Sequence, residues 1–191
     1  MPFNIPNLLT WFRILMIPVF IAMFYVGDDT LSVHNKHLFS TLLFVAAAIT
    51  DWLDGYLARY LNQTSAFGAF LDPVADKLMV TAALIVLVKL GYVDAIIAFI
   101  IIGREIAISA LREWMAQLGS SKSIAVSMLG KVKTSFQMLA IVLLLYHEPL
   151  LTISAEKLGT LLIYLAALLT LWSMVYYLIL AMPQITKKTE E

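Results

Sequence analysis

Six runs of mostly apolar residues, at roughly 8–26, 38–60, 72–90, 95–115, 126–147 and 158–181, take up most of the chain. About 20 such residues, wound as a helix, cross the hydrocarbon core of a bilayer. The sequence therefore predicts an all-α fold, an integral membrane bundle of six transmembrane helices. The breaks between runs carry turn or charge signals: "GDDTLSVHNKH", "NQTSAFG", "KLGYVD", "AQLGSSKS" and "HEPLLTISAEK". Charged residues occupy the C-terminal ends of the second and fourth runs, so those ends are expected to project beyond the hydrocarbon. Hydrophobic residues make up 61% of the chain, against about 45–50% in a soluble domain. That leaves no room for a sizeable soluble unit, and residues 1–191 read as a single domain.

The net charge is zero and no basic tract is suited to nucleic acid. The absence of cysteine excludes disulfides, thiolate metal sites and a cysteine nucleophile. The opening "MPFNIPNLLTWFR" lacks a basic start, and no small-residue cleavage site follows the first run, so that run is expected to be retained. Orientation follows from Lys and Arg. With the N-terminus inside, Arg13, Arg59, Lys77, Arg104, Arg112, Lys122, Lys131, Lys133, Lys187 and Lys188 fall on the cytoplasmic side. Only Lys36, Lys89 and Lys157 fall on the other. Both termini are expected to be cytoplasmic.

Against this background the stretch "DWLDGYLARYLNQTSAFGAFLDPVADK", residues 51–77, is costly. An Asp at the middle of a membrane costs about 2.5–3.5 kcal/mol, and four occur here. Asp51 and Asp54 are three apart and share a helix face with Gly55, Ala58 and Arg59. The small residues leave room for a ligand against the backbone, and Arg59 offers a fork suited to phosphate. Asp72 and Asp76 are four apart and also share a face. Either Asp72 starts a helix with Pro73 at its first position, or the helix begins near Ser65 and Pro73 kinks it. In both cases an antiparallel hairpin brings the two pairs to one cytoplasmic depth. Helix caps or surface ion pairs explain one such Asp more readily than four in two helical pairs. Bound cations relieve the mutual repulsion, and oxygen-only donors favour Mg²⁺ or Mn²⁺. Four carboxylates neutralise two divalent ions, and a two-metal clamp suits in-line displacement at phosphorus.

These residues form the pattern D-x₂-D-G-x₂-A-R-x₈-G-x₃-D-x₃-D through Asp51, Asp54, Gly55, Ala58, Arg59, Gly68, Asp72 and Asp76. It resembles the signature of the CDP-alcohol phosphotransferases. "NIPNLLTWFR", "REIAISALREW" and "GKVKTSFQM" are similar to the bacterial branch that makes phosphatidylglycerol phosphate. The resemblance implies a multi-pass enzyme of the bacterial cytoplasmic (inner) membrane, usually a homodimer, with its active site open to the cytoplasm. Such an enzyme transfers the phosphatidyl group of CDP-diacylglycerol to sn-glycerol 3-phosphate and releases CMP. It implies that Asp51, Asp54, Asp72 and Asp76 bind two metal ions and that Asp76 is the general base. It also implies that Gly55, Arg59 and Ser65 contact the CDP moiety, together with the region of Asn7 and Thr10. Ala58 and Gly68 leave space for the nucleotide.

Chemically, the acceptor hydroxyl must lose a proton as it attacks, and a carboxylate within hydrogen-bond reach can take it. One in-line displacement suffices, without a covalent enzyme intermediate. The acceptor's own phosphate needs a second cationic site. Arg104, Arg112, Lys131 and Lys133 are the candidates, with Arg104 and Lys133 favoured; the alternative for each is an anchor for orientation or anionic lipid. Glu105 is either a counter-ion or a structural partner. His34, His37 and His147 read as solvated outer-loop residues, Asn7 and Thr10 on their own as helix caps, and Pro18 as a kink. Trp11, Trp114 and Trp172 fit interfacial belts. Rival functions are a transferase with another acceptor, a divalent-cation transporter, or a scaffold binding lipid headgroups through metal. The acids cluster on one side rather than lining a path, and Arg59 and Lys77 would repel cations.

Overall fold

The computed structural model describes residues 5–61, 66–117, 128–150 and 153–189. Among these described residues six helices follow in chain order: α1 (Ile5–Ala22), α2 (Val33–Tyr60), α3 (Ala66–Lys89), α4 (Ala95–Gln117), α5 (Met128–Tyr146) and α6 (Ala155–Thr189). Between α5 and α6 lie two two-residue strands, β1 (Pro149–Leu150) and β2 (Ile153–Ser154), paired antiparallel with Pro149 opposite Ser154.

Local chemistry sets several boundaries. Ser32, Asp94 and Ser154 stand at helix starts, and their side-chain oxygens accept from the backbone N–H of Asn35, Ile96 and Lys157. Just past the end of α3 stands Gly91, whose φ of 76° is a left-handed turn that glycine adopts at little cost. The Tyr92 N–H donates to the Leu87 carbonyl and the Gly91 N–H to that of Val88. This is the paired closure that ends helices at a glycine. At its other end α3 begins before Asp72, so Asp72 and Pro73 lie inside the helix rather than at its start. Pro73 has no N–H to donate to the backbone carbonyl four residues earlier. Pro18 is likewise inside α1.

Helix α3 runs through the middle of the bundle, against α1, α2, α4 and α5. Its Ala75, Met79, Ala83, Leu84 and Leu87 are buried, joining Phe20, Phe44, Ile101, Ile141, Leu144 and Ile163 from the surrounding helices. The pairs α5–α6 and α1–α2 pack along much of their length. At Gly159 of α6 an added Cβ would lie 2.8 Å from Leu144 Cγ of α5, so the two helices approach through this glycine.

The polarity of the bundle is inverted relative to a soluble protein. Large apolar side chains face outward, among them Phe12, Leu42, Phe99, Ile106, Leu168 and Trp172. Buried inside are Arg13, Asp54, Arg104, Lys133 and Gln137. Outward-facing apolar side chains in this number are suited to lipid. Among the described residues two helices are long and apolar enough to cross a membrane, through Val33–Ala58 and Ala155–Tyr176; Asn7–Ala22 and Val132–Tyr146 are shorter apolar stretches.

The histidines only partly meet the expectation of solvated loop residues: His147 lies in the connection from α5 to β1 and His34 is exposed. His34 and His37 both belong to α2. His37 is buried, its Nδ1 2.8 Å from the Leu145 carbonyl and its ring stacked with Tyr92 and His147. His34 pairs with Glu148. Helix α2 starts earlier than its apolar run, with Lys36 paired to Asp28 and the Val26 carbonyl of the preceding connection and His37 packed inside the bundle.

Candidate active site

The first carboxylate pair lies at the C-terminal end of α2. Three-residue spacing puts Asp51 and Asp54 on one face, which meets α1. There Asn7, Thr10 and Arg13, also spaced by three, form a buried polar stripe on an otherwise apolar helix. The Arg13 guanidinium donates from Nη1 to Asp51 Oδ1 at 2.5 Å and from Nη2 to Asp54 Oδ2. Arg13 is 1% exposed, Asp54 2%, and the Asp51 side chain 44%. A planar guanidinium is shaped to bridge two carboxylates in this way. The Thr10 hydroxyl donates to Asp72 Oδ1 on α3 at 2.5 Å. Helix α1 thus holds both arms of the aspartate hairpin.

Asp76, one turn beyond Asp72, is exposed and faces a cavity of about 270 Å³. Asp51, Lys77, Glu105, Thr134 and Gln137 share this cavity, whose remaining wall is largely apolar. One carboxylate from each pair therefore reaches the same space, and Glu105 of α4 lines it too.

Glu105 gathers the two favoured acceptor cations. Lys133 Nζ lies 2.6 Å and Arg104 Nη1 3.1 Å from its Oε1, and Arg104 Nη2 is 3.2 Å from Ser173 Oγ on α6. Lys133 and Arg104 are both buried. Glu105 is their shared counter-ion, one of the two roles the sequence leaves open.

The remaining sequence candidates divide by what is described. Gly68 is buried in α3 and Ala58 is half-buried in α2. A Cβ added at Gly55 would meet nothing within 4 Å, so that face of α2 is open beside the carboxylates. Arg59, Arg112 and Lys131 are helical, but their side chains lie outside the described residues, as does Ser65 entirely. Among the described residues no group of three or more Asp, Glu or His side chains is arranged to hold a metal ion. Two of the four carboxylates are instead bridged by Arg13, and a third accepts from Thr10. In the sequence Arg13 counts only among the cytoplasmic cations. The signal that singles it out is its place on the Asn7–Thr10 face of α1, one turn on.

Residues 3–177 match the family model of the CDP-alcohol phosphatidyltransferases. The chain belongs to this family. Curated relatives agree with it over most of its length. It is 51% identical over 181 residues to a CDP-diacylglycerol–glycerol-3-phosphate 3-phosphatidyltransferase of Haemophilus influenzae, covering 93% of each chain. It is 49% identical over 180 residues to proteins of that name from Salmonella typhimurium and Escherichia coli, covering 93% of this chain and 94% of theirs. The aspartate hairpin lies inside the segment that matches the family, as do Arg13, Glu105 and Lys133.

Proposed function

We propose that the protein transfers the phosphatidyl group of CDP-diacylglycerol to sn-glycerol 3-phosphate, releasing CMP and phosphatidylglycerol phosphate. The observation that carries this reading is the cavity itself. Carboxylates from two helices, Asp51 and Asp76, line it, and so does Glu105, which pairs with the buried Arg104 and Lys133. Relatives at about half identity bear the name of this reaction.

The residues divide the work by chemistry. Asp76 is exposed to the cavity and takes the proton from the acceptor's primary hydroxyl as it attacks phosphorus. Lys133 and Arg104 receive the acceptor's phosphate, with Glu105 holding both cations at one depth. The open face at Gly55, with Ala58, Arg59, Ser65 and Gly68, takes the CDP moiety, and Asn7 and Thr10 border it from α1. Arg112 and Lys131 supply further positive charge. Displacement is direct: with Asp76 as base, one in-line attack by the acceptor's hydroxyl suffices without a covalent enzyme intermediate.

The donor set of Asp51, Asp54, Asp72 and Asp76 fits hard divalent cations: it is all carboxylate oxygen, and a cationic group, Arg13, already lies between two of its members. These four would hold two Mg²⁺ or Mn²⁺ ions, which neutralise the pyrophosphate and the departing CMP when bound. A guanidinium fixed within the acidic cluster does not suit cation transport.

The same reading takes residues 1–191 as one domain of six spans in a bacterial cytoplasmic membrane, with both termini and the site facing the cytoplasm and a homodimer as the assembly. The apolar exterior supports the membrane setting. The reaction is tested with purified protein, CDP-diacylglycerol, Mg²⁺ and radiolabelled sn-glycerol 3-phosphate. Label in a lipid product, with CMP in equal amount, is the expected outcome. No CMP release with this acceptor, serine, inositol phosphate or glycerol would reject the enzyme class. CMP release with another acceptor alone would reject the acceptor.

A further inference from the structure

Gln137 of α5 has no part in the chemistry above. It is 4% exposed, it lines the cavity with Asp51, Asp76 and Glu105, and its carbonyl oxygen Oε1 is buried with no hydrogen-bond partner. The residue lies one turn from Lys133 on the same buried face of α5, among Ala140, Ile141 and Leu144. An apolar side chain would fill that place without cost, whereas a buried carbonyl left unpaired is expensive.

We propose that Gln137 selects the acceptor by accepting a hydrogen bond from its secondary hydroxyl. The inference rests on the phosphatidyltransferase reading and deepens it. A carboxamide oxygen only accepts. It cannot serve the acceptor's phosphate oxygens, which are acceptors themselves. The primary hydroxyl gives its proton to a carboxylate on attack. The one donor left on a three-carbon phosphorylated polyol is its secondary hydroxyl. The helical rise puts Gln137 about 6 Å along α5 from Lys133, so a short polyol anchored through its phosphate has its carbon chain within reach. A site built around a substrate hydroxyl rejects the analogue that lacks it, because the protein group is then left unpaired.

The test compares two acceptors in the same preparation: sn-glycerol 3-phosphate and 3-hydroxypropyl phosphate, which keeps the primary hydroxyl and the phosphate but lacks the secondary hydroxyl. The wild-type protein is expected to favour the first in kcat/KM by about 10- to 100-fold. Gln137→Met, similar in length but without the carbonyl, is expected to lower kcat/KM for glycerol 3-phosphate by at least tenfold. It should leave that for the deoxy analogue within about threefold, so the preference collapses. Because the readout is a ratio within one variant, a smaller folded fraction cancels. Equal use of both acceptors by the wild type, or an undiminished preference in Gln137→Met, overturns the assignment alone. No CMP release by the wild type with glycerol 3-phosphate overturns the transferase reading, and the assignment with it.

Discussion

Arg13 and Asp54 form an ion pair in which both partners are buried, the arginine at 1% and the aspartate at 2% exposure. The pair ties α1 to α2 at the aspartate hairpin, and the second arm of the same guanidinium reaches Asp51. Two charges removed from water are tolerable only together. Removing one leaves the other uncompensated, at a cost of about 3–5 kcal/mol.

Arg13→Met is therefore expected to lower the thermal unfolding midpoint in detergent sharply. Adding Asp54→Asn should recover part of that loss, because the stranded carboxylate becomes neutral. Unfolding followed by circular dichroism checks this. A single variant as stable as the wild type would show that the pair carries no net stabilisation.

Buried Lys133 donates at 2.6 Å to Glu105, which lines the cavity. If Lys133 also answers the acceptor's phosphate, Lys133→Met raises KM for glycerol 3-phosphate by about tenfold or more. KM for CDP-diacylglycerol should change by less than about threefold. Steady-state kinetics with each substrate varied in turn gives both values. Equal rises in the two constants would point to a general loss of structure.

Gly159 makes a prediction about packing alone. With a new Cβ only 2.8 Å from Leu144 Cγ, and Leu144 fully buried, Gly159→Val has no space to occupy. It is expected to cost about 1–3 kcal/mol by overpacking. Unfolding in detergent measures the cost, and the Ala variant should fall between glycine and valine.

Much of this arrangement is legible in the sequence, and the reasons differ by feature. The helices appear as apolar runs broken by turn residues, and Gly91 with Asp94 marks one break through backbone chemistry that acts locally. The spacing of Asp51, Asp54, Asp72 and Asp76 puts each pair on one face once a helix is assumed. What depends on packing between helices is less accessible. Whether Pro73 begins α3 or lies within it rests on residues 66–71 holding helix against the bundle. Arg13 looks like any cytoplasmic cation, because a charge that sets orientation and one that bridges carboxylates are the same residue in a sequence. His37 reads as a loop residue since its stack with Tyr92 and His147 joins segments more than 50 positions apart. Gln137 falls within the "GKVKTSFQM" stretch, but nothing in the sequence marks its carbonyl as unpaired, because that is a property of its surroundings.

Asp76 is the residue on which the reaction turns, and the most direct measurement is acceptor-dependent CMP release by Asp76→Asn. Asparagine keeps the shape of the side chain and removes the base. With saturating CDP-diacylglycerol, glycerol 3-phosphate and Mg²⁺, turnover should fall by about 100-fold or more, while the unfolding midpoint stays within a few degrees of the wild type. Folded Asp76→Asn protein releasing CMP at a rate within about tenfold of the wild type would contradict the assignment of the proton to Asp76. CMP release by the wild type that ignores the acceptor would contradict the transfer itself.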